Sequence, residues 1–116
     1  MHGFPEDLKF DVVGSEIHQI CLGRYDVQFL FDSGTRICAQ SFVEVFQGEE
    51  LVATWDEAKN WTATAFQKLL NVTVDSYAVM NEQVMEIRLH GGLRLRLHDN
   101  STQYESLQIY PGFIII

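Results

Sequence analysis

The feature that most constrains this chain is a run of alternating side chains that occurs twice. Val27-Gln28-Phe29-Leu30-Phe31-Asp32-Ser33-Gly34-Thr35-Arg36-Ile37 aligns with Met85-Glu86-Ile87-Arg88-Leu89-His90-Gly91-Gly92-Leu93-Arg94-Leu95 at an offset of half the 116-residue chain. Apolar falls on apolar at alternate positions except where Thr35 meets Leu93; Gly34 falls on Gly92 and Arg36 on Arg94. A period of two marks a strand with one buried face, and a slip of one residue would turn every apolar side chain to water. Pairing Phe29 with Ile37 and Ile87 with Leu95 sets apolar opposite apolar. That register leaves three-residue loops, Asp32-Ser33-Gly34 and His90-Gly91-Gly92. Each ends in glycine, as a type I turn followed by a left-handed bulge residue requires. The second hairpin sets Arg88 opposite Arg94, a like-charge pair that costs stability. Glu86, diagonal to Arg94 and opposite Arg96, is placed to relieve it.

The correspondence runs beyond the hairpins. Val43-Glu44-Val45-Phe46-Gln47-Gly48 matches Leu107-Gln108-Ile109-Tyr110-Pro111-Gly112 once the second copy is allowed a longer loop, and a short apolar tail follows each glycine. Strands are expected before each hairpin, at 16–22 and 72–79. Between the halves, Thr54-Trp55-Asp56-Glu57 has the form of a capping box with Thr54 as N-cap. Ala58, Trp61, Ala65, Phe66 and Leu69 then recur at helical spacing. These predict a helix over about 55–70, its tryptophan face on the sheet, with Asn71 as a C-terminal cap. The expected fold is α+β, mostly antiparallel β. Two repeated β-meander units, 12–52 and 72–116, are related by pseudo-twofold symmetry in a single domain over 1–116. One curled sheet and a small barrel-like sandwich both satisfy this pattern.

Charge is shared unevenly. Residues 1–58 carry eleven acidic and three basic side chains and residues 59–116 carry five of each, so the whole net charge of −8 belongs to the first half. Such a field disfavours nucleic acid and anionic membrane and speeds encounter with a basic partner. Acidity that merely keeps molecules apart in solution is the more ordinary explanation. The first residues contain no basic segment followed by an apolar one, so a cytoplasmic location is expected. No apolar run approaches the length of a membrane span. Cys21 and Cys38 sit in separate strand-like runs with Val27–Phe31 between them, which predicts two buried thiols rather than a disulfide.

The most distinctive loop is His98-Asp99-Asn100-Ser101-Thr102-Gln103-Tyr104-Glu105-Ser106. It interrupts the repeat. As a binding loop it would use Tyr104 as an anchor and Asp99 and Glu105 against a basic group. As a structural turn it would use Asp99 or Ser101 as a cap and pack Tyr104 on a sheet edge, the commoner arrangement. Asp99, Ser101, Tyr104, Glu105 and Ser106 spell D-x-S-x-x-Y-E-S. Here the chain resembles a family of short uncharacterised bacterial β-rich domains, in which a glycine-turn hairpin precedes that motif and a closing strand follows it. Phe31-Asp32-Ser33-Gly34-Thr35 looks like the first hairpin of that family, and the resemblance covers most of the chain. It implies the β-rich fold and attaches no activity.

His90 and His98 share a polar hairpin face with Arg88, Arg94 and Arg96, a grouping able to bind an anion or a carboxylate. The two histidines lie too far apart to share a metal ion. A solvated sheet face is the plainer reading. P-loop, GxGxxG, HExxH, GxSxG and CxxC patterns do not occur, so no cofactor or metal is expected. The sequence favours a small acidic, non-enzymatic protein-interaction domain, with a protein partner or self-association through a sheet edge. An immunity-type inhibitor of a basic toxin is the sharper form. The alternative is a small-molecule-binding domain or enzyme using the second hairpin face and the 98–106 loop, with Arg94, Arg96, His98, Asp99, Tyr104 and Glu105 as candidate residues. Last, Phe113-Ile114-Ile115-Ile116 is apolar and uncharged. As a bare edge it would invite pairing with another chain, so it is expected to be an inner strand or to be covered by a second subunit.

Overall fold

In the computed structural model, residues 4, 8–23, 25–56, 66–99, 107–110 and 114–115 are described, the last two by backbone alone. They form ten strands: β1 Ile17–Leu22, β2 Val27–Phe31, β3 Arg36–Ala39, β4 Val43–Gln47, β5 Glu50–Trp55, β6 Val74–Asn81, β7 Val84–Leu89, β8 Leu93–His98, β9 Leu107–Tyr110 and β10 Ile114–Ile115. All are paired antiparallel. Both hairpins adopt the register that alternation demands, with Phe29 opposite Ile37 and Ile87 opposite Leu95. Gly34 and Gly92 take φ of 96° and 82°, the left-handed conformation that ends a three-residue loop without a Cβ penalty.

The strands make two five-stranded sheets, ordered β1-β2-β3-β9-β10 and β5-β4-β8-β7-β6. The chain changes sheet after its third strand, through Gln40, Ser41 and Phe42. Ile37, Cys38 and Ala39 are buried in succession there, so alternation breaks at the corner. It returns to the first sheet after β8. Each half of the chain thus supplies three strands to one sheet and two to the other. Counting five strands on from each member of the first sheet, and returning to β1 after β10, reproduces the order of the second.

One core cluster joins the inner faces, which makes the domain a sandwich. Phe29, Ile37 and Ile109 form a row across the first sheet, and Ile87, Leu95, Val45 and Ala53 a row across the second, each at most 2% exposed. Burying a side chain of the larger of these types stabilises by about 1.5–3 kcal/mol. Phe4, Leu8 and Val12 join this core from the N-terminal segment, which also stacks Phe10 on Tyr77.

The expected helix over 55–70 is not there as a single element. Thr54 and Trp55 belong to β5, opposite Glu44 and Val43, and the Trp55 indole N–H donates to the Gly23 carbonyl at 3.0 Å. Thr54 is therefore no N-cap. A local Thr-x-x-Glu signal yields to long-range pairing of a β-branched and aromatic run. At the other end, Phe66–Leu69 forms a short 3-10 turn that buries Phe66 and Leu69, three residues apart on one side. Asn71 follows with φ of 64°, as a capping residue does. Residues 57–65, with Trp61, lie outside the described residues. The closing strand β10 is an edge strand rather than an inner one, because β9 takes the place beside β3. Cys21 and Cys38 are free thiols on either side of Gln28. Two strand spacings, about 9–10 Å, exceed what a disulfide spans.

Candidate functional site

The outer face of the second sheet carries the densest polar grouping among the described residues. Alternation sends Glu44 and Phe46 of β4, Glu86 and Arg88 of β7, and Arg94, Arg96 and His98 of β8 to this side. Register then fixes their neighbours: Glu44 beside Arg96 beside Glu86, and Phe46 beside Arg94 beside Arg88. Glu86 lies at the centre, its side chain 2% exposed. Its Oε2 accepts from Arg88 Nε at 3.0 Å, and its Oε1 from Arg94 Nη1 at 3.2 Å and Arg96 Nε at 3.3 Å. Burial opposes ionisation of this carboxyl, but the hydrogen bonds and charges of the three arginines outweigh it and hold Glu86 below the ordinary carboxylate range.

The arginines are fixed in turn. Arg94 and Arg96 both stack on the Phe46 ring, at 5.1 and 4.7 Å from its centre, and Arg94 also donates to the Gly48 carbonyl. His98 Nε2 lies 2.6 Å from Glu44 Oε1. A carboxylate only accepts, so that nitrogen carries the proton. The result is a platform of guanidinium and aromatic groups whose central carboxylate is already paired. It holds no nucleophile and base in contact, and among the described residues no three His, Cys, Asp or Glu side chains are grouped to hold a metal ion.

Of the residues singled out from sequence, Arg94, Arg96 and His98 lie together on this platform. Asp99 does not join them on the surface. It is buried just beyond β8, its backbone N–H donating to the Gln83 carbonyl at 2.8 Å, as suits a structural turn. Tyr104 and Glu105 lie outside the described residues. His90 occupies the hairpin turn at the other end of β8 from His98. Glu44 and Phe46 were not singled out, because their role depends on β4 pairing with β8 across half the chain. The match of Phe46 with Tyr110 was the available signal.

A second arrangement lies on the outer face of the first sheet. An open cleft of about 480 Å³ is lined by His18, Leu30, Arg36 and Tyr110, with Phe31, Gly34 and Thr35 of the adjoining hairpin turn. Arg36 pairs with Tyr110 in register and lays its guanidinium 4.6 Å from the ring centre. Among the described residues no carboxylate comes within ion-pair distance of Arg36. β1 bulges between Ile17 and Gln19, which leaves His18 and Gln19 both exposed and puts His18 in the cleft lining.

No helix among the described residues is long and apolar enough to cross a membrane. Set against family models, curated proteins and solved structures, the chain matches none of them.

Proposed function

We propose that this chain is a non-enzymatic protein-interaction domain that meets its partner through the outer face of the second sheet. The observation that carries this reading is Glu86, buried beneath three arginines that it holds in place. Arginine and aromatic side chains dominate binding hot spots, and side chains already immobilised lose less entropy on docking. An immunity-type role is the sharper form of a protein-interaction function, and in it acids of the first half, rather than this arginine face, meet a basic toxin. The reading places the domain in the cytoplasm, where Cys21 and Cys38 stay reduced. It treats the chain as akin to the short bacterial domains that share the D-x-S-x-x-Y-E-S motif.

The test takes the product of the neighbouring gene as the candidate partner and measures binding by titration calorimetry. On the platform reading, Arg88→Glu weakens binding about tenfold or more, while Glu50→Lys leaves it nearly unchanged. The opposite pattern supports the basic-toxin form. A candidate partner indifferent to both substitutions argues against this face and against the acid at Glu50 on edge strand β5.

We also infer that the two halves are copies of one unit with pseudo-twofold symmetry. Three correspondences support this beyond strand order. The bulge at His18 in β1 recurs at Asp75 in β6, each opposite the same point of its hairpin. Asp32 N–H donates to the Glu16 carbonyl as His90 N–H does to that of Thr73. Arg36 stacks on Tyr110 as Arg94 stacks on Phe46.

A further inference from the structure

We propose that the cleft beside Arg36 binds a small-molecule carboxylate with an apolar body, the carboxylate on the Arg36 guanidinium and the body against Leu30 and the edge of Tyr110. This site is distinct from the protein-docking platform and does not depend on it.

The argument rests on what occupies equivalent places in the two sheets. Arg94 and Arg36 each lie at the start of the third strand of a meander, Arg94 second in β8 and Arg36 first in β3, and each stacks on the aromatic residue of the strand beside it. Around Arg94 the remaining space is filled from within. Glu86 supplies a carboxylate, Arg88 covers it and the Gly48 carbonyl takes further N–H groups. Around Arg36 the matching positions hold Gln28 and Leu30. Gln28 turns its amide to Asp26, donating at 3.0 Å. Leu30 is shorter than arginine and carries no charge. The guanidinium therefore keeps the orientation that stacking imposes and has no carboxylate partner among the described residues, and the unfilled volume is the cleft.

Three properties select the ligand. The lining is chiefly apolar, and a volume of about 480 Å³ is within the range of small-molecule sites. Its one fixed charge is a planar guanidinium, which matches a carboxylate in a two-point geometry. The bulge adds the His18 imidazole at the rim as a further hydrogen-bonding group. A carboxylate entering here supplies from outside what Glu86 supplies to Arg94 from inside. Arg36 is also one of only three basic residues in the acidic first half.

The experiment follows backbone amides of isotope-labelled protein by NMR during titration with benzoate and with hexanoate, each against its uncharged amide, benzamide or hexanamide. Saturable shifts confined to Gly34, Thr35, Arg36 and Tyr110 with the acids, and at least tenfold weaker binding of the amides, are expected from loss of a charge-assisted pair. Arg36→Gln should reduce acid binding to the level of the amides, and Leu30→Arg should abolish it by filling the cleft. Equal binding of acids and amides, or shifts that never saturate, overturns the proposal. So does binding of a peptide through its terminal carboxylate when benzoate and hexanoate fail. The acid–amide comparison uses the unmodified protein, so it stands even where a variant fails to fold.

Discussion

The outer faces of the two sheets share a strand order and end as different surfaces. On each, an arginine of the third strand lies over an aromatic ring of the neighbouring strand. Beside Arg94 stands Glu86, and three guanidinium groups converge on it. Beside Arg36 stands Gln28, no carboxylate among the described residues comes within ion-pair distance, and a cleft opens. Hairpin register and strand order place the arginines. Three positions, Glu86 against Gln28, Arg88 against Leu30 and Arg96 against Cys38, separate the closed network from the open site. A stable scaffold can thus carry one face rigidified by its own charges and one left to be completed by something else.

The largest effect expected from breaking this contrast is at Glu86. Glu86→Ala leaves Arg88, Arg94 and Arg96 facing one another without their anion. Removing one member of a fully buried pair costs 3–5 kcal/mol; because these arginines are a quarter to half exposed, about 2–4 kcal/mol is expected in urea unfolding. Gln28→Ala, at the equivalent position, should change stability by no more than about 0.5 kcal/mol. Glu86 also gives the acid response a sign. Its folded-state pKa lies below the unfolded value of about 4.3. Its stabilisation is therefore complete above that value and is lost as pH falls through the folded one. Stability measured against pH should show a steeper acid limb in the wild type than in Glu86→Gln.

A smaller difference is expected between the two stacked arginines. Arg94→Met removes the Glu86 ion pair, the Gly48 hydrogen bonds and the stack on Phe46, and should cost about 1–2 kcal/mol. Arg36→Met removes an exposed stack on Tyr110 alone and should cost about 0.5 kcal/mol. Equal losses in thermal melts would show that the stack, and not the network, carries the energy. Neighbouring Cys38 tests the character of the first face by reactivity. Burial pushes its thiol up, so alkylation at neutral pH should be slower at Cys38 than at half-buried Cys21.

Much of this contrast could be read from the order of residues. Alternation and glycine position were enough for both hairpin registers, and the register alone put Glu86 among the arginines. The cleft was not legible, because it depends on which strands meet after the chain changes sheet. Nothing local to Arg36 says that Tyr110, far along the chain, will lie beside it. The helix over 55–70 shows the same limit from the other side. Thr54 and Trp55 carry a respectable local helix signal, and pairing with Glu44 and Val43 overrides it. The edge position of β10 also follows from β9 inserting beside β3, a long-range choice.

The subtlest expected effect comes from rebuilding one face on the other. Gln28→Glu alone places a carboxylate diagonal to Arg36, where Glu86 stands relative to Arg94. It also breaks the amide bond to Asp26 and sets two acids near each other. Leu30→Arg alone sets a second guanidinium directly opposite Arg36, the like-charge pairing that Arg88 and Arg94 tolerate only through Glu86. Each single substitution should therefore cost a few tenths to about 1 kcal/mol. Together the new carboxylate lies within reach of both guanidinium groups, so the double variant should recover about 0.5–1 kcal/mol relative to the sum of the singles in a double-mutant cycle. The same double variant should no longer bind benzoate or hexanoate, because the internal anion now occupies Arg36. Additive losses would show that the two faces share strand order without sharing side-chain geometry, and that the equivalence of Arg36 and Arg94 stops at the backbone.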